Sequence, residues 1–138
     1  MRIEFEVPGI AKTAGSHNSY QGRIVHANPK TKEWMRTVGW WARKEYTEET
    51  LLTGPIWIAV HFRFMRPDYH YGTGKNKQIL KRSAPDYHIK TPDLDKLVRA
   101  IQDALTGIIY KDDKQIVGIV ASKGYDTRPK VTIIIKDG

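Results

Sequence analysis

Five of the fifteen acidic residues in this 138-residue chain fall between Thr91 and Val117: Asp93, Asp95, Asp103, Asp112 and Asp113. Carboxylates are hard oxygen ligands. Mg²⁺ in particular is held by one or two of them, together with waters and substrate phosphates. Such an ion polarises a phosphoryl oxygen and activates a bound water, and a pair of ions can clamp the attacking and leaving oxygens. Asp93-x-Asp95 and Asp112-Asp113 are therefore candidate ligands for metal-assisted phosphate chemistry. A quieter role suits the same residues. Asp93 and Asp95 would favour a helix start through the macrodipole, and Asp112-Asp113 would be a turn pair. Spacing does not choose between the two roles.

The elements that must position these acids are legible. Thr91-Pro92-Asp93 predicts a helix start, with Pro presetting φ in the first turn and Thr or Asp capping the free N–H groups. Leu94, Leu97, Val98, Ile101, Leu105 and Ile108 recur at helical spacing and give one buried stripe, with Gly107 near its end. Asp95, Arg99 and Asp103 are four apart and share the polar side. Acids from the helix start and from the later turn can meet only through the fold.

Pro92-Asp-Leu-Asp-Lys-Leu-Val-Arg-Ala-Ile-Gln-Asp-Ala-Leu-Thr-Gly107, followed by Tyr110-Lys-Asp-Asp-Lys-Gln-Ile-Val117, resembles the signature of the RusA family of Holliday junction resolvases. That pattern has an Asp-Leu-Asp, a basic residue four positions after its second Asp, an Asp-Ala-Leu and an Asp-Asp-x-Gln-[Ile/Val]-Val. The resemblance implies that Asp93, Asp95 and Asp113 are metal-binding acids and that the cofactor is Mg²⁺. Arg99 stands where the family usually has an essential lysine. A guanidinium stays protonated at neutral pH, so Arg99 would orient or stabilise phosphate charge rather than exchange a proton. Lys96 replaces the asparagine usual after Asp-Leu-Asp and adds a positive charge beside the acids. The compound motif is specific; the remaining chain fits the family more loosely, in length and order of elements.

Composition bounds the function. The chain reads as one domain over 1–138, long enough to bury a core. It has no cysteine, which removes disulfides and thiolate chemistry. No stretch approaches the ~20 apolar residues of a membrane span, and no apolar signal region opens it, so a cytoplasmic, membrane-free protein is expected. A net charge of +8 predicts a field that attracts polyanions.

Arg2 to Val7 alternates polar and apolar residues and predicts a half-buried strand stopped by Pro8-Gly9. Residues 10–29 are rich in Gly, Ser, Asn and cations and predict a long loop, with Lys12, His17 and Arg23 as candidates for DNA-backbone contact. Pro29 to Tyr46 predicts a helix carrying Trp34, Val38, Trp41 and Ala42 at helical spacing. Ile56 to Met65 is the clearest strand. His61, on its other face, reads as structural rather than as a catalytic base. Residues 66–90 mix Lys75, Lys77, Lys81, Arg82 and Lys90 with Tyr69, Tyr71 and Tyr87, a mixture suited to a loop that orders on binding unpaired bases and phosphates. Ile116 to Ala121 and Val131 to Lys136 predict two further strands around a turn at 124–129. The sum is an α+β fold, a mixed β-sheet with two helices packed on one face.

The expectation is a Mg²⁺-dependent endodeoxyribonuclease acting on four-way junction DNA in recombination or repair. Asp93, Asp95 and Asp113 would hold the metal, Arg99 and Lys96 would balance phosphate charge, and Lys12, Arg23, Lys75, Lys77, Lys81, Arg82, Lys90 and Lys96 would bind DNA. The junction is two-fold symmetric and one chain carries one set of acids, so a two-fold homodimer is expected, joined around Trp34 to Trp41 or along the edge of the last strand. Two rivals remain open at this level: a non-catalytic basic nucleic-acid-binding module whose acids only cap a helix, and a transferase using Asp-x-Asp to hold a nucleotide diphosphate.

Overall fold

The structure, a computed structural model, describes residues 1–13, 18–20, 23–25 and 29–138. In chain order it has strand β1 (Arg2–Pro8), strands β2 (Asn18–Tyr20) and β3 (Arg23–Val25), helix α1 (Pro29–Glu45), strand β4 (Ile56–Met65), helix α2 (Leu94–Leu105), and strands β5 (Ile116–Asp126) and β6 (Lys130–Asp137). Four strands form a mixed sheet in the spatial order β1-β6-β4-β5, with β6 antiparallel to both neighbours and β4 parallel to β5. β2 and β3 pair antiparallel to each other.

Period-two alternation builds the core. The register aligns three apolar rows across the sheet: Ile3, Ile135 and Ile58; Phe5, Ile133 and Val60; Val7, Val131 and Phe62. All nine are buried. Trp34, Val38 and Ala42 of α1 and Leu97, Val98, Ile101, Ala104 and Leu105 of α2 join the same cluster, so both helices cover one face of the sheet. Truncating a fully buried side chain such as Ile133 to Ala would cost about 2–5 kcal/mol. The two helices approach closely at Gly39, where a Cβ would lie 3.0 Å from the Ile108 Cδ1.

The predicted α+β architecture is present, and several details differ. Residues 10–29, expected as a loop, contain the β2–β3 pair; His17 and the side chain of Arg23 lie outside the described residues. α2 begins at Leu94 with Asp93 as its N-cap, so Pro92 precedes the cap instead of opening the first turn, and the Thr91–Pro92 peptide is cis. The helix ends at Leu105, and Gly107 follows at φ +84°, the left-handed turn a glycine adopts without a Cβ clash. β5 continues five residues past the apolar run, to Asp126, because its parallel ladder with β4 extends from Ile116 to Met65's partner Asp126.

The two expected dimer surfaces fare differently: on α1 Trp40 is 53% exposed while Trp34 is not, and the last strand has no free edge. Trp34 is 5% exposed and belongs to the core. β6 is paired on both sides, so the free edges of the sheet are β1 and β5.

Residues 66–90 form a folded arch between β4 and α2. It contains 3₁₀ turns at Asp68–His70 and Gly74–Asn76, and a bridge joins Tyr71 to Leu80. The Gly72 N–H donates to the Ile79 carbonyl at 3.0 Å and the Lys81 N–H to the His70 carbonyl at 2.9 Å. These local bonds give the segment backbone structure of its own.

Candidate acidic site on helix α2

β4, α2 and β5 make a parallel β-α-β unit, in which the helix starts beyond the C-terminal end of β4 and runs back toward its beginning. Asp93 therefore stands near Phe64 and Met65. Its carbonyl accepts the Leu97 N–H at 3.1 Å and so closes the first helical turn. Its carboxylate makes no capping hydrogen bond. The carboxylate sits instead 3.4 Å from the Lys96 ammonium, with both side chains substantially exposed. Asp95 is exposed in the first turn, and Arg99 and Asp103 are exposed farther along. The helix-capping role predicted as the alternative for Asp93 thus lacks its defining bond.

Asp112 and Asp113 have different surroundings. Asp112 caps the 3₁₀ turn Asp113–Gln115: its Oδ1 accepts the Lys114 N–H at 3.0 Å, while the Gln115 side chain accepts the Asp112 N–H at 2.8 Å. The Lys114 N–H, and after it the neighbouring Asp113, hold the Asp112 carboxyl below the usual carboxylate range. Gln115 also donates to the Leu52 carbonyl at 2.8 Å and the Gly54 carbonyl at 3.0 Å, which fastens the turn to the segment between α1 and β4. Asp113 is exposed and takes no part in that cap.

Asp113 stands toward the far end of α2. The buried Tyr110 donates its hydroxyl to the Gln102 carbonyl at 2.9 Å. Burial, and then Asp113 and Asp103, push the Tyr110 phenol up to about 12, against a lowering contribution from the Thr106 hydroxyl. Eight residues of helix separate Asp103 from Asp95, about 12 Å of rise. Asp95, Arg99 and Asp103 make a row along α2, and Asp113 belongs to its far end. Among the described residues no three His, Asp or Glu side chains gather as a ready metal cage. The Asp93–Asp95 start, exposed and uncapped, does fit an ion held by two carboxylates and completed by waters and phosphate oxygens.

The loop entering the helix is fixed from the sheet. Lys123 of β5 donates to the Lys90 carbonyl at 2.6 Å and to the Pro92 carbonyl at 2.9 Å. The base of the arch is fastened nearby: Arg66 donates to the Pro85 carbonyl at 2.6 Å and lies 4.4 Å from the Tyr125 ring centre. His88 packs between Phe64 and Tyr125, with centroids 4.7 and 5.1 Å away. Lys123 and His88 carried no signal in the sequence, which showed Arg66 only as one cation of the basic segment, not as a fastening of the arch. The Asp112-x-x-Gln115 spacing was the one available signal for the Gln115 cap.

The predicted cations divide into three groups. Lys12 and Lys96 line one cavity with Asp93. Lys75, Lys77, Lys81 and Arg82 are exposed on the arch. Lys90 is engaged within the chain: its ammonium hydrogen-bonds the Tyr69 hydroxyl, lies 4.7 Å over that ring, and has its pKa raised by this bond. His61 pairs with Ser122 on the sheet face away from the helices, and burial followed by Arg63 lowers its pKa. Among the described residues no helix is long and apolar enough to cross a membrane.

The chain is similar to the uncharacterised protein YqaN of Bacillus subtilis (strain 168), 27% identical over 137 residues that cover 98% of this chain and 96% of that protein. Residues 7–136 match the family described as endodeoxyribonuclease RusA, a span that takes in the end of β1, β4, β5, nearly all of β6, both helices and the acidic row. With that match over nearly the whole fold, the chain belongs to the RusA endodeoxyribonuclease family.

Proposed function

We propose that this protein is a Mg²⁺-dependent endonuclease that resolves four-way DNA junctions in recombination or repair, acting as a two-fold homodimer. The observation that carries the reading is the start of α2. Two exposed carboxylates, Asp93 and Asp95, stand there, that of Asp93 without a capping hydrogen bond, beside Lys96 and at the foot of a basic arch. Asp93 and Asp95 would hold the ion, while Asp113, about 12 Å along the helix at the far end of the row, would act apart from that ion within one chain. When bound, Mg²⁺ supplies charge stabilisation for the phosphoryl oxygens and a water activated for attack.

The protein's own side chains do the rest. Lys96 neutralises Asp93 in the free chain and can turn to a phosphate when DNA arrives. Arg99, one turn beyond Asp95, offers a fixed guanidinium fork for phosphate oxygens but no exchangeable proton. Lys75, Lys77, Lys81 and Arg82 draw the DNA backbone to the arch, and Lys123 and the packed arch base hold the loop that presents Asp93. For the second copy, the outer face of the sheet offers an apolar patch of Trp57, Val120 and Ile134 next to the free edge of β5. Trp57 and Val120 are 45% and 72% exposed there. Trp57 lies across Gly118, where an added Cβ would come within 2.6 Å of its indole.

The test is incubation with a labelled four-way junction, a duplex and a single strand, each with and without Mg²⁺. Paired cuts in opposed strands of the junction, in Mg²⁺ alone, are expected. Intact DNA in every lane removes the nuclease reading, and tight junction binding without any cut favours a non-catalytic binding module.

A further inference from the structure

A cavity of about 520 Å³ opens between the start of α2 and the segment that follows β1. Ile10, Ala11, Phe64, Met65 and Pro129 give it apolar walls. Lys12, Thr13, His88, Asp93 and Lys96 supply its polar groups. Asp93 is thus shared between the cavity and the acidic row, and whatever fills the one lies beside the other.

The character of the wall is unlike a phosphate-binding surface. Ile10 and Met65 are 55% and 58% exposed, although both are apolar and the surrounding surface is rich in cations. Scattered exposed apolar side chains need no explanation, but these two converge on one concave wall. His88 stands in the same wall, and its buried Nδ1 has no hydrogen-bond partner among the described residues. The volume falls in the range of sites that enclose a small organic group, roughly 300–1,000 Å³. Apolar faces for a flat ring, a few polar groups at its edge and two ammonium groups for a flanking phosphate are the complement of a nucleotide.

We propose that this cavity receives a single nucleobase unstacked from the DNA next to the phosphate to be cut, with Lys12 and Lys96 on its flanking phosphate. The proposal rests on the nuclease reading and adds a subsite to it. Extruding a base is least costly where pairing and stacking are already broken, so a pocket that must be filled before the acids align discriminates a branch point from an intact duplex. Insertion of apolar side chains at disrupted base steps is a general device of proteins that distort DNA; Ile10 and Met65 are placed at the cavity to support the extruded base.

The experiment uses the full chain in EDTA and a four-way junction carrying 2-aminopurine at one position at or near the branch point, in a series of such junctions. Fluorescence reports unstacking, and a mobility shift on the same samples reports binding. A several-fold fluorescence rise confined to one position is expected with the wild type. The double variant Ile10→Phe/Met65→Phe narrows the cavity; it should bind the junction within a few-fold of the wild type and lose most of the rise. Met65→Phe alone is the milder version should the double variant melt early. In Mg²⁺ the wild type should prefer some bases at that position by about tenfold, the size of one good base contact, and the variant should cut the series evenly. Wild-type binding with no rise at any position overturns the cavity assignment and leaves the nuclease reading standing. A folded variant with the full rise overturns it too. Absence of wild-type binding to any junction overturns both.

Discussion

Lys123 on β5 donates a hydrogen bond to the carbonyl of Pro92 at 2.9 Å, so the peptide that leads into Asp93 is held from the sheet. The same ammonium holds the Lys90 carbonyl at 2.6 Å. Lys123→Met keeps the stem and removes both bonds. It should lower junction cleavage by roughly 10- to 100-fold, the size of effect that a displacement of about 1 Å in a site produces. Binding in EDTA should stay near the wild-type level, and Lys123→Arg should recover part of the activity. Equal losses in binding and cleavage would place Lys123 on the DNA surface instead.

Asp95→Asn preserves shape and removes one charge from the helix start. Cleavage should fall by several orders of magnitude, since the acid is proposed to hold the ion that supplies charge stabilisation. Affinity in EDTA should be unchanged or slightly tighter, because one less carboxylate repels the phosphate. Stability should move by less than about 1 kcal/mol. A time course at the wild-type rate would end the assignment of Asp95 to a metal.

Junction affinity should fall steeply with salt. If the protein neutralises on the order of 6 phosphates, log K should decline against log[salt] with a slope of roughly −5. Replacing Lys75, Lys77, Lys81 and Arg82 together with Ala should flatten that slope. An unaltered slope in a salt titration would move the DNA away from the arch.

The two buried histidines set an acid limit to stability. Burial, then Arg66, Lys90 and Lys81, lowers the His70 pKa; burial, then Lys123 and, after an opposing effect of its own backbone, Lys90 lower that of His88. A folded pKa below the unfolded value of about 6.5 means that the unfolded chain takes up protons first as pH falls. Stability is therefore complete above about pH 6.5 and declines below it. Denaturant melts at pH 8, 6.5 and 5 should show this decline, and His88→Phe, which keeps a ring between Phe64 and Tyr125, should lessen it. Equal acid sensitivity in that variant would assign the effect elsewhere.

Sedimentation should show a dimer at micromolar concentration. Val120→Arg puts a charge in the middle of the outer apolar patch and should give monomers that still fold and that nick one strand at a time. A dimer unaffected by Val120→Arg would locate the interface on another surface.

The strands and α2 were legible because each follows one period. Ile3, Phe5 and Val7 alternate, Ile56 to Phe64 alternate, and Leu97, Val98, Ile101 and Leu105 return every turn. The acids were legible as residue types but not as a geometry. Asp93 and Asp113 are separated by the helix between them, and no periodicity reports that a start and a turn fall at different ends of it. The supporting groups were the least visible. Lys123 looks like any cation in a strand until the register of β5 on β4 sets it opposite Phe62, on the side where the loop before α2 passes. The extension of β5 to Asp126 was hidden for a related reason: Ser122-Lys-Gly is a poor strand sequence by composition, and its pairing comes from β4 rather than from itself. The order of the arch was masked by its polarity, since its fastening is backbone hydrogen bonding together with Arg66 and His88.

The position of β6 in the middle of the sheet bears on how the chain assembles. Arg2 pairs with Lys136 and Ile58 with Ile135, so the first strand reaches the rest of the sheet only through the last. During synthesis β4, α2 and β5 can come together from neighbouring sequence, while β1 waits with Ile3, Phe5 and Val7 unpaired until β6 leaves the ribosome. Contacts of such long sequence separation close slowly, and an unpaired apolar strand is open to association with other chains meanwhile. Glu4 and Glu6, which alternate with those apolar residues, put like charges along the waiting strand and set nascent copies apart until its partner arrives.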